Sequence, residues 1–374
     1  MKQKYLSKFV FSLFLSVFFC GNVFSQDLAD SSALSKLISS VKISGYVDAY
    51  YAFYTDSAGI ANYQQFPSVS PRSNAFGLNT AMLTAQLDGS KIRGIVSLHY
   101  GDIARSAWSP IFNPVMEAHA GFRLCDKLWF DAGFFRTHFG TEGLLPKENI
   151  ANSISVCTFY EPYFESGFRL NYNPNDKLAI YLYALNGYNM FDDNNRKKSL
   201  GLLATYALGD KGNIGYSNYT GDDSPEGDTI SHLRMHNNLF FNYAIKKMKF
   251  QVGGDFCVQQ HSNISNANKA ATMYSGVASV KYQCCGKLAM YARGEMFNDP
   301  QGVMSGVIID KTNKFTGYKM WGATYGLEYK PLEDAYLRLE GRYIQMDKNQ
   351  EIFHWNNAQQ NNRFEVMLNF GVSF

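Results

Sequence analysis

Past its first 25 residues the chain lacks any run of about 18 to 20 apolar residues, the length a membrane helix requires, because charged or amide residues break every hydrophobic stretch. That excludes a helical inner-membrane protein. Charge of one sign is also scarce. The balance of 35 Lys+Arg against 32 Asp+Glu leaves +3, too little to argue for nucleic acid or an acidic partner, and no basic patch or nucleic-acid motif is present. No Gly-Xaa-Ser-Xaa-Gly, His-Glu-Xaa-Xaa-His or phosphate-loop motif occurs. The histidines His99, His119 and His261 have no local partner pattern of the kind a barrel hydrolase needs, and Glu117 with His119 offers two ligands, too few for a metal site. No catalytic residue, metal or cofactor is therefore expected. Cysteine is sparse as well. Apart from Cys20, the chain has Cys125, Cys157, Cys257, Cys284 and Cys285, an odd set at irregular spacings that does not read as a disulfide framework. Cys125 and the Cys284-Cys285 pair fall in turns on one side of the fold derived below, which leaves one bond open beside the unpaired alternative.

What is present begins with Lys2, Lys4 and Lys8, an apolar run from Phe9 to Phe19, and Val23 and Ser25 at the spacing a signal peptidase reads. Residues 1–25 are expected to be a secretory signal cleaved after Ser25. A lipoprotein signal at Cys20 is the rival, but Phe19 stands where a small residue is needed. Residues 26–40 form a short periplasmic segment, with Leu34, Leu37 and Ile38 at helical spacing. It is far too short to be the plug of a TonB-dependent transporter.

From Val41 onward the chain resolves into segments of about ten to fourteen residues with period-two alternation, long enough for tilted strands to cross a bilayer. In the last one, Phe364, Val366, Leu368, Phe370, Val372 and Phe374 oppose Arg363, Glu365, Asn369 and Ser373. Near the start, Ile43, Val47, Ala49, Tyr51 and Phe53 oppose Ser44, Tyr46, Asp48 and Tyr50. Met116, Ala118, Ala120, Phe122 and Leu124 face lipid if Glu117, His119 and Arg123 face inward. The segments Leu178 to Tyr188 and Leu200 to Leu208 are apolar on both faces, so periodicity does not orient them.

The connections alternate between short turns, such as Asp88-Gly89-Ser90 and Lys246-Lys247-Met248, and long polar links, such as Asp299 to Lys319. Seven turns and eight links imply about sixteen strands, with fourteen to eighteen compatible. The fold class is all-β: a transmembrane antiparallel up-and-down β-barrel over residues 41–374. A soluble β-sandwich alternates too, but it has no regular need for strands this long or for loops that are long on one side only. Aromatics are 16% of the chain although mean hydropathy is slightly negative, which suits strands with one apolar and one wet face. Tyr50, Tyr51 and Tyr54, then Trp129, Tyr181 and Tyr183, and Trp321 and Tyr325 stand near strand ends, where interfacial girdles would lie.

Several segments carry a resemblance: Ile43-Ser44-Gly45-Tyr46-Val47-Asp48-Ala49-Tyr50-Tyr51, Phe76-Gly77-Leu78-Asn79-Thr80-Ala81-Met82, Tyr160-Glu161-Pro162-Tyr163, Leu185-Asn186-Gly187-Tyr188-Asn189 and Leu337-Arg338-Leu339-Glu340-Gly341-Arg342-Tyr343. From about Val41 to Phe374 the chain resembles the β-barrel porin-2 family, which implies an outer-membrane, porin-like protein and supplies no catalytic residues. Phe374 looks like the aromatic C-terminal signal read by the outer-membrane barrel-assembly machinery. By its own pattern the final strand pairs with the first and closes the ring.

A barrel of about sixteen strands is wide enough for an aqueous lumen, so passive diffusion of small polar solutes is the expected function. The expected pore-lining residues are Asp48, Arg93, Glu117, Arg123, Asp131, Glu165, Arg169, Arg293, Glu295, Arg338, Glu340, Arg342, Arg363 and Glu365. Opposed rows of them would create a transverse field that selects solutes by charge; salt-bridged ladders that only stiffen the wall are the alternative. The link from His138 to Pro162 is the longest. By analogy with general porins, whose loop at this position turns inward, Glu142, Lys147 and Glu148 are candidate constriction residues, with packing over the outer rim as the alternative. Expected partners are outer-membrane lipid, the assembly machinery and small polar solutes, with no nucleic acid, and a homo-oligomer is compatible. An adhesin or structural barrel whose long loops bind a partner is the non-channel alternative, and a barrel hydrolase the enzymatic one.

Overall fold

The computed structural model describes residues 40–57, 63–66 and 68–374. The expected signal segment, and all but Ser40 of the segment after it, lie outside the described residues. No helix among the described residues is long and apolar enough to cross a membrane.

Sixteen antiparallel strands hydrogen-bond in sequence order and close on themselves. The first eight are β1 (Val41–Tyr54), β2 (Ala75–Asp88), β3 (Ile92–Tyr100), β4 (Val115–Cys125), β5 (Leu128–Arg136), β6 (Phe164–Tyr172), β7 (Leu178–Leu185) and β8 (Ser199–Ala207). The second eight are β9 (Gly212–Gly221), β10 (Arg234–Ile245), β11 (Met248–Gln259), β12 (Ala271–Gln283), β13 (Leu288–Asn298), β14 (Lys319–Leu332), β15 (Ala335–Met346) and β16 (Asn362–Ser373). Seven connections are short and eight long, from the eleven residues of 260–270 to the twenty-seven of 137–163. Closure satisfies every strand edge, as hydrocarbon surroundings demand. At the seam β1 pairs with β16 from Tyr46↔Ser373 to Tyr54↔Glu365. Gly45 N–H donates to Phe374 O at 2.7 Å and Phe374 N–H returns to Gly45 O at 3.1 Å, so the final residue makes the last rung.

Alternation sets the two faces. On β14, Trp321, Ala323, Tyr325, Leu327 and Tyr329 are exposed on the outer wall while Met320, Thr324 and Glu328 are buried inside. The outer wall is thus an apolar band matched to lipid. The inner wall makes room for large rings by placing glycine on the neighbouring strand. Tyr291 of β13 lies across Gly326 of β14, and Tyr336 of β15 across Gly371 of β16; a Cβ at either glycine would overlap the ring.

Some expectations are corrected. Met116 is buried in a cluster with Ile103, Trp108 and Leu144 instead of facing lipid. The β3–β4 register shifts there, Ser97 pairing with Glu117 but Leu98 with Val115, and the extra residue breaks the alternation. Of the expected girdle aromatics, Tyr51, Trp321 and Tyr325 do lie on the outer face, but Tyr50, Tyr54, Trp129, Tyr181 and Tyr183 turn inward, where polar partners await them. Tyr50 donates to Asp102 at 2.6 Å, Tyr54 donates to Ser70 O at 2.7 Å, and the Arg93 guanidinium sits 4.6 Å from the Trp129 ring. Strands β7 and β8 are apolar on both faces because Tyr183, Leu185 and Leu203 pack inward on Phe139 of the 137–163 connection. All five cysteines of the described residues are free, Cys125 and Cys285 exposed, Cys157 and Cys257 buried.

Candidate functional site

The 137–163 segment is too apolar to live outside. Leu144, Leu145, Ile154, Val156 and Phe139 are all buried, and they reach that state by folding into the barrel. A short 3₁₀ turn, Pro146–Glu148, and one helical turn, α1 (Val156–Phe159), are its only regular pieces. Most of its backbone polar groups therefore need partners from elsewhere, and the inner wall supplies them.

Glu340 on β15 accepts from Asn152 N–H at 2.6 Å, Ser153 N–H at 3.1 Å and Ser153 Oγ at 2.5 Å, with Tyr291 Oη donating to it at 2.9 Å. Glu295 on β13 accepts from Val156 N–H at 2.7 Å. Arg338 donates to Pro146 O at 2.7 Å, Asn149 O at 3.2 Å and Ala151 O at 3.3 Å, and Arg293 to Ser153 O. Wall carboxylates thus meet loop amides and wall guanidiniums meet loop carbonyls, replacing the missing secondary structure. Charged hydrogen bonds of this kind are roughly twice as strong as neutral ones.

The wall charges also pair among themselves. Arg342 binds Glu295 through two nitrogens at 2.8 and 2.9 Å, Arg363 binds Glu365 at 2.5 Å, and Arg338 binds Glu328 at 2.8 Å. Asp131 holds Arg93 at 2.5 Å and Arg169 at 3.0 Å. Asp48 accepts from Asn79 and Asn369 at 2.6 and 3.0 Å and from Tyr336. Every one of the expected pore-lining residues projects from the wall on its inward side or at the barrel mouth, but their surroundings differ. Arg293, Arg342, Arg363, Glu340 and Glu365 are almost fully buried. Glu117 lies 3.7 Å from His119, and Arg123 sits at the short-turn end, donating to Asp126 O at 2.7 Å. Where these charges pair, the partners stand on one strand, as Arg363 and Glu365 do, or one or two strands apart, as Arg338 and Glu328 or Arg342 and Glu295 do.

The candidate constriction residues take separate positions. Glu142 is buried beneath the loop, 3.2 Å from Arg293 and accepting from Ser155 N–H at 2.7 Å. Lys147 lies over the Tyr46 ring at 4.4 Å, and burial pulls its ammonium below the ordinary lysine range. Glu148 holds Arg136 with bonds of 2.8 and 2.6 Å. Lys147 and Glu148 border a cavity of about 530 Å³ that Lys211, Lys249, Lys281, Lys330 and Arg338 also line, facing Glu328, Glu333 and Asp334. A second cavity of about 310 Å³ touches Glu117, Arg136, Glu142 and Glu161. The sixteen strands alone imply a wide lumen, but inward loops occupy much of it and leave spaces lined by charge.

Other loops follow the same rule. Arg72 donates to both oxygens of Asp102 at 2.9 to 3.1 Å; against the cost of burial, these bonds and those from Tyr50 and Tyr63 hold the carboxyl below the usual range. His138, at the stem of the 137–163 segment, was missed as a site residue because no motif contains its partners. Its Nδ1 lies 2.6 Å from Glu165 and its Nε2 2.8 Å from Asn218 O. Burial works against its charge, but the Glu165 carboxylate prevails and raises its pKa.

Comparison with solved structures agrees with this architecture. An anion-selective porin from Comamonas acidovorans superposes with a TM-score of 0.62 at 11% identity, over 90% of this chain and 99% of that one. The outer membrane channel DcaP of Acinetobacter baumannii gives 0.60 at 11% identity, over 89% and 97%. OprB of Pseudomonas putida gives 0.58 at 11% identity, over 92% and 96%. At such identities the likeness shows the fold alone. No curated protein sequence matches the chain. The family model described as "Putative beta-barrel porin-2, OmpL-like" covers residues 40–374, the whole barrel with its inward loop, and the chain belongs to that outer-membrane, porin-like family.

Proposed function

We propose that this barrel is a passive porin through which small polar solutes diffuse along the water-filled spaces beside the inward loop. The observation that carries the reading is the pairing of an apolar outer wall with internal cavities lined by lysine, arginine and carboxylate side chains. Charge inside a barrel is costly unless it is paired and hydrogen-bonded, and the larger cavity holds more cationic side chains than carboxylates to pair with them. Selectivity is assigned to the charged residues that border those cavities, Lys147, Glu148, Glu117 and Arg338 among them; Arg338 also fastens the loop, as Arg293, Glu295 and Glu340 do. The proposal gives no chemical step to the protein. It takes Phe374 as the residue the assembly machinery reads and residues 1–25 as the export signal.

A barrel sealed by its loop, serving as a scaffold or adhesin, is the second reading, and the near-complete burial of Arg363, Glu365 and Glu340 favours it. Planar-bilayer recording separates the two. The porin reading expects stepwise conductance on each insertion of the folded protein. Repeated silent insertions, with a variant lacking residues 140–155 conducting strongly, would instead establish the sealed barrel.

A further inference from the structure

We propose that Cys157, Glu161, Asp255 and His236 form a binding site for a thiophilic divalent metal ion of the zinc class, which pins the inward loop to the barrel wall. Cys157 lies in α1 and Glu161 two residues past its end. Asp255 projects inward from β11 and His236 from β10, beside the pair Asn238↔Asp255. One donor atom each from Cys157, Glu161 and Asp255 lies within 4.8 Å of the other two, and all three residues are buried.

The decisive group is His236. It is fully buried, and its Nδ1 is 3.1 Å from Tyr188 Oη. Tyr188 already donates its hydroxyl proton to Tyr160 O, so it must accept from His236 Nδ1–H. A neutral ring then leaves Nε2 as a bare lone pair. That nitrogen makes no hydrogen bond and faces Asp255 Oδ1 at 3.3 Å. Lone pair against lone pair is repulsive, and only a proton or a metal between them relieves it. The Tyr188 bond is the outer contact that commonly fixes the tautomer of a ligating histidine.

Charge gives the same direction. None of Cys157, Glu161 and Asp255 pairs with a lysine or arginine among the described residues, and Arg293 is engaged by Glu142 and Glu295. Glu161 and Asp255 thus stand as two buried carboxyl groups beside the Cys157 thiol, with the neutral Asn238 amide bridging them. A dication offsets that accumulation. The clustered donors are one sulfur and two carboxylate oxygens, and the His236 nitrogen, 3.3 Å from Asp255, swings in to complete a tetrahedral set of the zinc type, whereas calcium and magnesium take oxygen alone. With metal–ligand bonds of about 2.0 to 2.3 Å, the 2.6 Å contact between Cys157 Sγ and Asp255 Oδ2 opens by roughly 1 Å on loading. The thiol proton leaves to water as the metal bonds form. Asn238 Nδ2, 3.1 Å from Glu161 and 2.9 Å from Asp255, holds both carboxylates in place.

The site does not depend on conduction, so failure of the porin reading leaves it untouched. The test uses the full barrel with the solvent-facing thiols removed by Cys125→Ser, Cys284→Ser and Cys285→Ser, refolded in detergent with cobalt(II), because the buried site loads as the loop closes. The expected result is one cobalt per chain, with sulfur-to-cobalt charge-transfer absorption and the intense visible bands of four-coordinate cobalt, displaced by zinc. Cys157→Ser removes the charge-transfer band, His236→Gln weakens binding at least tenfold, and Cys257→Ser changes neither. Since Cys157→Ser risks misfolding, zinc content by native mass spectrometry of the unaltered folded chain gives an independent reading. Folded protein that takes up neither cobalt nor zinc, or cobalt bands that survive Cys157→Ser, overturns the proposal. The cluster is then a hydrogen-bonded network of the Cys157 thiol, Asn238 and two buried carboxyl groups beside His236.

Discussion

Arg293 Nη1 and Glu142 Oε1 meet at 3.2 Å although 151 positions separate them in the chain, and both side chains are fully buried. This contact ties β13 to the inward loop. Removing one partner of a buried pair strands the other charge, at a cost of about 3 to 5 kcal/mol. Arg293→Ala is therefore expected to lower unfolding stability by that order, while the double change Arg293→Met with Glu142→Leu costs much less. Denaturant unfolding in detergent, followed by tryptophan fluorescence, measures both. Equal losses in the two variants would show that the charge pairing is not what matters.

Glu340 takes three loop donors from residues 152 and 153. Glu340→Ala releases that stretch, and the loop is expected to retreat from the lumen. Liposome swelling with sugars of increasing size then shows several-fold faster uptake of the larger ones. Glu340→Gln, which keeps one acceptor oxygen, has a smaller effect.

Tyr291 reaches Glu340 only because Gly326 leaves room beneath its ring. Gly326→Val is expected to displace the ring, costing about 1 to 3 kcal/mol of stability through overpacking. The same variant weakens the loop anchor, so its swelling profile shifts partway toward that of Glu340→Ala. An unchanged melting temperature would mean the ring has another place to go.

The sequence made the cylinder plain and its interior obscure, for physical reasons. Period-two alternation is a local signal, so strands such as Phe364 to Phe374 and their lipid face could be read directly. The alternation of short and long connections fixed the strand number, since each link is contiguous in the chain. Met116 escaped because a bulge leaves no mark on composition. Tyr183 escaped because an inward tyrosine and an interfacial one look alike until the stacked partner, His138, is known. The wall charges were identified as inward, but what they meet was not legible, because Glu340 with Ser153 or Arg338 with Pro146 are contacts between distant segments that no spacing encodes.

Six cationic side chains, Lys147, Lys211, Lys249, Lys281, Lys330 and Arg338, face the four carboxylates of Glu148, Glu328, Glu333 and Asp334 in the larger cavity, leaving two positive charges. Each Lys→Glu exchange changes that balance by two. The double variant Lys147→Glu with Lys249→Glu therefore carries two negative charges there. Reversal potentials in a salt gradient are expected to show a modest anion preference in the unaltered protein and a cation preference in the variant, both fading at high salt as screening shortens. A preference unaffected by the exchange would place the solute path elsewhere.

His138 binds two acceptors, Glu165 through Nδ1 and Asn218 O through Nε2, so both ring nitrogens carry protons and the ring is cationic. Its pKa is raised above the ordinary value, as burial is outweighed by the Glu165 charge. A folded-state pKa above the unfolded one stabilises the fold fully below the unfolded value, about 6.5, and the contribution is lost as pH climbs through the higher folded value. Stability attributable to this residue should thus decline on the alkaline side and stay constant under mild acid. Lysines and tyrosines titrate in the same range, so the informative quantity is the difference between the unaltered chain and His138→Gln at each pH. That difference is expected to be largest below about pH 6.5, on the order of 3 to 5 kcal/mol because the variant strands Glu165 without its counter-charge, and to shrink steadily above it. If the difference instead grows with pH, the ring is not cationic in the fold.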